Sequence, residues 1–125
     1  MRFCNYVLFV LLFACALNTE GQIHKSVLWT VSLDTSQQIT ISTGDMLWVK
    51  SPTFAAVPAN LGKIFQISYD HSRLSLIAEK PPDSDGQMGK QYFLLAVAPG
   101  ASQVTITVLD QGKTSSTVVL DVTCR

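Results

Sequence analysis

Val104-Thr105-Ile106-Thr107-Val108-Leu109, then Asp110-Gln111-Gly112-Lys113, then Thr117-Val118-Val119-Leu120-Asp121-Val122-Thr123 is the stretch that decides the fold. In its first arm Val104, Ile106 and Val108 alternate with Thr105, Thr107 and Leu109, the period of a strand. In its second arm Val118, Leu120 and Val122 alternate with Thr117, Asp121 and Thr123. Gly112 supplies a residue free to take positive φ between them, so the two arms read as a hairpin.

The same period recurs back to Ser26. Val27, Trp29, Val31 and Leu33 share one face, as do Ile39 and Ile41, then Phe65, Ile67 and Tyr69, then Leu74, Leu76 and Ala78. Met46-Leu47-Trp48-Val49 and the segment from Tyr92 to Val97 are mostly apolar on both faces, which predicts strands covered on both sides. Turn residues such as Thr43-Gly44-Asp45 and Pro99-Gly100-Ala101-Ser102 separate the strands, and no segment carries a sustained i, i+3, i+4 apolar stripe. The pattern predicts an all-β chain of about seven to eight strands, an antiparallel β-sandwich or small barrel. Trp29 and Trp48, each among β-branched neighbours, are expected as core anchors.

Composition narrows the function. The 125 residues carry 9 basic and 9 acidic side chains, and 47% are hydrophobic. That length suits one domain. Zero net charge without a Lys/Arg cluster argues against nucleic acid and anionic membrane surfaces, and the apolar content argues against disorder. Part of the apolar excess is N-terminal, where Arg2 precedes an unbroken run from Tyr6 to Leu17. As a helix this run reaches about 18 Å, short of a hydrocarbon core about 30 Å thick. With the small-residue sites Ala14-Cys15-Ala16 and Thr19-Glu20-Gly21 it reads as a secretory signal over residues 1–21, leaving a domain over 22–125 and a secreted or periplasmic destination. Leu12-Phe13-Ala14-Cys15 is also similar to a lipoprotein signal, although Phe13 is bulkier than that motif prefers. It makes Cys15 the candidate lipidation site and the one expected route to a membrane. Of the three cysteines, only Cys124 then remains in the domain, so a core rather than disulfides must hold it.

Little of the chain suits catalysis. Asp70-His71-Ser72 holds the letters of a triad, but consecutive side chains of an extended segment point to opposite faces, so it reads as a turn. Asp83-Ser84-Asp85-Gly86 lacks the bidentate Glu of a calcium loop, and no paired Cys or His spacing suits zinc. Gly86-Gln87-Met88-Gly89 lacks the lysine and following helix of a phosphate loop. No catalytic residue, metal site or cofactor is predicted, and a protein-binding module is favoured over an enzyme. The irregular segments 51–63 and 80–90 are where such a sandwich presents function. In the first, Phe54, Val57 and Leu61 are apolar without strand or helix phasing; such a loop either folds back onto the core or presents Phe54 and Met88 to a partner.

On these residues the chain resembles the chagasin-like family of cysteine-protease inhibitors. Ile39-Thr40-Ile41-Ser42-Thr43-Gly44-Asp45 echoes that family's opening strand and Gly-acidic turn. Ser51-Pro52-Thr53-Phe54-Ala55 keeps the Pro and Thr of its first binding loop, N-P-T-T-G. Gly86-Gln87-Met88-Gly89, followed by Tyr92-Phe93, is a looser form of its G-x-G-G loop. The third loop, R-P-W in the family, has no counterpart in Leu109-Asp110-Gln111-Gly112. The resemblance covers most of residues 36–123 in strand order. It implies an immunoglobulin-like β-sandwich that wedges its loops into the cleft of a papain-type cysteine protease, with Pro52, Thr53, Phe54, Gly86, Met88 and Gly89 as contacts. The alternative reading is an exported immunoglobulin-like adhesion or assembly module, which the segment from Ala96 to Thr105 suits equally.

Overall fold

The computed structural model describes residues 25–125; the expected signal over 1–21 and Cys15 lie outside them. Within that range the strands are β1 Leu28–Ser32, β2 Gln37–Ile41, β3 Met46–Lys50, β4 Phe54–Ala55, β5 Lys63–Tyr69, β6 Leu74–Lys80, β7 Gln87–Met88, β8 Gln91–Ala96, β9 Gly100–Asp110 and β10 Lys113–Cys124. The eight longer ones fall on the eight segments read as strands. The two-residue β4 and β7 lie inside the two segments read as irregular, and they pair with each other.

Two four-stranded sheets stack as a sandwich, one in the order β1-β3-β8-β6 and the other β2-β10-β9-β5. The hairpin of β9 and β10 forms as the sequence predicts, with Thr117 opposite Thr107 and Leu120 opposite Val104. Two edge pairings are parallel, β1 with β3 and β2 with β10. The short link from β1 to β2 carries the chain from one sheet to the other, and each strand then lies along a partner running the same way. Between the sheets one core joins Leu47, Val49, Leu74, Tyr92 and Leu94 of the first to Ile41, Val104, Ile106, Leu120 and Val122 of the second. Each large aliphatic side chain buried here contributes about 1.5–3 kcal/mol.

The tryptophans depart from expectation. Trp29 is 37% exposed, and its indole Nε1–H donates to Asp45 Oδ2 at 2.9 Å. β1 is an edge strand, and this bond draws the ring to the Gly44–Asp45 turn rather than into the core. Trp48 points away from the core that its neighbours Leu47 and Val49 fill. It stacks on Phe93 across the outer face, ring centroids 5.3 Å apart, and donates to Gln91 Oε1 at 2.6 Å. The outer face expected to be covered is only half-buried at Met46, Trp48, Phe93 and Leu95.

Candidate functional site

The segments 51–57 and 86–90, distant in sequence, meet through a short ladder. β4 and β7 run antiparallel with Phe54 opposite Met88 and Ala55 opposite Gln87. Ala56 N extends the contact by donating to Gly86 O at 2.8 Å. At the other end, Ser51 N donates to Lys90 O at 2.9 Å. The Ser51 hydroxyl, buried there, accepts from Lys90 N at 2.9 Å and donates to Pro52 O at 2.8 Å. A buried hydroxyl with both its donor and acceptor engaged is stable in place, whereas one left unpaired is costly.

Gly89 makes this approach possible. A Cβ there would lie 3.1 Å from both Pro52 O and Ser51 Oγ and 3.2 Å from Thr53 Cγ2. Gly86 takes φ of 76° at the preceding turn with open space around it, so its role is conformational freedom. The glycines of 86–89 thus bend the second loop and let it touch the first.

Phe54 reaches toward the second sheet. Its ring lies 6.0 Å from that of Phe65 on β5, with Lys63 Nζ 5.0 Å above its centroid. Lys63 also pairs with Asp110 Oδ2 at 3.0 Å, at the end of β9 where the chain turns through Gln111 and Gly112. The two paired loops and the 110–113 hairpin are therefore joined at one end of the sandwich. Of the six residues predicted as contacts, Thr53 and Gly86 are exposed, while Pro52, Phe54, Met88 and Gly89 are half-buried. Phe54 packs on Phe65 and keeps part of its surface open.

Beside the ladder a recess of about 140 Å³ is lined by Lys50, Thr53, Asp83, Gln87 and Lys90 among others. Asp83 accepts from Lys80 Nζ at 3.0 Å. That bond, with a further one from Gln91 and the charges of Lys80 and Lys50, holds its carboxyl below the usual range.

Sequence reasoning missed Ser51, Lys63, Asp110 and Asp45. Asp45 is buried and accepts from Val27 N at 3.0 Å, Trp29 Nε1 at 2.9 Å and Ser42 N at 2.9 Å, fixing the start of β1. A carboxylate at a Gly-Asp turn was a visible signal for Asp45. Lys63 and Asp110 needed the β5–β9 register, which periodicity leaves open.

The chemical motifs settle as local structure. Asp70 Oδ1 accepts from Ser72 N at 2.9 Å and Ser72 Oγ at 2.6 Å, and Arg73 Nη1 pairs with Oδ2 at 2.7 Å. These hydrogen bonds, from Ser72 foremost, hold the Asp70 carboxyl at about 2. The His71 ring packs at a tilt on that of Tyr69, ring centroids 4.2 Å apart. Cys124 is buried at the end of β10, and burial pushes its thiol up. No group of three or more His, Cys, Asp or Glu side chains suited to a metal occurs among the described residues.

No family model matches the chain, and no curated protein matches its sequence significantly. Solved structures do match. The cysteine protease inhibitor EhICP2 from Entamoeba histolytica superposes with a TM-score of 0.66 at 12% identity, over 80% of this chain and 97% of that one. PbICP-C, solved in complex with falcipain-2, superposes with a TM-score of 0.56 at 14% identity, over 78% of this chain and 99% of that one. At such identities the likeness establishes the fold, which is that of the chagasin-like inhibitors.

Proposed function

We propose that this protein is an exported, non-enzymatic inhibitor of papain-type cysteine proteases, which enters the substrate cleft with the paired loops 51–57 and 86–90. The observation that carries the reading is the β4–β7 ladder with its Ser51 latch. It turns two segments with no regular structure of their own into one ordered edge, at the end where the resemblance puts the binding loops. Neighbours of this fold include a cysteine protease inhibitor and a protein captured with falcipain-2. An ordered edge of this kind blocks a cleft by occupying it, and needs no nucleophile or acid–base pair of its own. Its affinity comes from contacts whose ordering cost was met on folding. Export is supported by the run from Tyr6 to Leu17 behind Arg2.

Steady-state kinetics of a papain-type protease tests the reading. Competitive inhibition with a constant below about 1 μM, corresponding to roughly 8 kcal/mol of binding, is the expected outcome. Full activity in the presence of about 10 μM protein, where binding of that strength saturates, contradicts it.

One observation favours a second reading, an adhesion or assembly module that binds through a sheet. The outer face of β1-β3-β8-β6 carries Met46, Trp48, Phe93 and Leu95, and Leu28 and Ile77 beside them are each 54% exposed.

A further inference from the structure

Loop 51–63 continues past the ladder into a turn whose composition is unusual for a connection. It reads Ala55-Ala56-Val57-Pro58-Ala59-Asn60-Leu61, with a 3₁₀ turn over Pro58–Asn60. Val57 is 44% exposed and Leu61 65% exposed. Asn60 is the one side chain of this stretch able to hydrogen-bond, and it is spent holding the turn shut, with Nδ2 donating to Ala55 O at 2.8 Å. Val57 N donates to Ala55 O at 2.9 Å and Asn60 N to Val57 O at 2.8 Å. Pro58 stiffens the entry, and the bond from Ala56 N to Gly86 O ties the turn to the second loop. Two large aliphatic side chains are thus held in water by a closed, hydrogen-bonded frame. They add little to the core, and their surface becomes favourable only when something apolar covers it.

The 110–113 hairpin itself offers no such surface. Asp110-Gln111-Gly112-Lys113 carries no large apolar side chain, and Asp110 is engaged by Lys63. Continuity with the ladder and rigidity place the apolar contact on the turn. We propose that Val57 and Leu61 are the apolar anchor of the interface, seated in a recess of aliphatic or aromatic side chains on the wall of the protease cleft. This rests on the inhibitor reading above. It adds that discrimination among proteases follows the shape and polarity of that recess.

The test compares inhibition constants of the wild type, Val57→Asp, Leu61→Asp, Leu61→Met and Gln111→Ala against one papain-type protease, with thermal melts of each. Both aspartate variants are expected to weaken inhibition about tenfold or more, as loss of an interface anchor does. Leu61→Met is expected within about threefold of wild type, since it conserves volume. Gln111→Ala is expected to match wild type. If Leu61→Asp melts early, Leu61→Ser reads the same contact with a neutral side chain. Aspartate variants that inhibit as well as wild type overturn the anchor while leaving the inhibitor reading intact. A wild type that does not inhibit overturns both. A wild-type dimer in sedimentation that Leu61→Asp converts to monomer also overturns the anchor, because a second copy then covers the patch.

Discussion

Ser51 does at the scale of one residue what the ladder does for two loops. Its hydroxyl accepts from Lys90 N and donates to Pro52 O, so separating the first loop from the second breaks the bond that the buried Ser51 side chain makes across them. Ser51→Ala removes both bonds and leaves the amide of Lys90 short of a partner, a loss of about 1–3 kcal/mol. Urea unfolding should show that loss, and protease inhibition should weaken with it. A variant as stable as wild type means the latch is not holding the loops. Ser51 was illegible in the sequence because a serine before a proline fits any turn. The residues around it were legible for a physical reason: Pro52 and Gly89 are types that few backbones require, and Gly89 sits where a Cβ would press on the first loop.

At the scale of elements, most of the sandwich could be read because one-sided burial writes a period of two into a strand. β9 and β10 show it most plainly, with Val104, Ile106, Val108, Val118, Leu120 and Val122 all buried. β3 and β8 are apolar on both faces, and from that pattern the sequence predicted covered strands. The structure shows why the inference overshot: Trp48 and Phe93 shelter one another by stacking, with Lys50 Nζ 4.5 Å and Lys80 Nζ 5.2 Å from the Trp48 centroid. Lysine stems can cover aromatic surface while their ammonium groups stay in water, so two rings persist on a solvent face. The parallel edge pairings of β1 and β2 were not legible, because alternation carries no strand direction. Nor were β4 and β7: two residues are too few for a period, and their pairing is set by the tertiary approach that Gly89 permits.

At the scale of the whole molecule, stability depends on a core without disulfides among the described residues, and that core contains one titratable ring. Tyr92 is buried, and burial foremost, with Glu79 nearby, pushes its hydroxyl up to about 12. In the unfolded chain it titrates near 10. Between those values the unfolded state releases a proton that the native state keeps, so this contribution is full below about 10 and is lost as pH rises through about 12. Urea midpoints measured across that window should fall more steeply for wild type than for Tyr92→Phe. Equal slopes would show that the ring titrates alike in both states.

The shared fold leaves two surfaces in competition, the loop end and the outer face of the first sheet, because sandwiches of one fold serve different partners. Hydrogen exchange of the protein alone and in the presence of a papain-type protease inactivated by substitution of its catalytic cysteine, with the cleft left open, distinguishes them in a single measurement. Added protection is expected within 52–61 and 86–90, with no change over 46–50 and 91–96. Protection over β3 and β8 instead, or no protection anywhere, contradicts it.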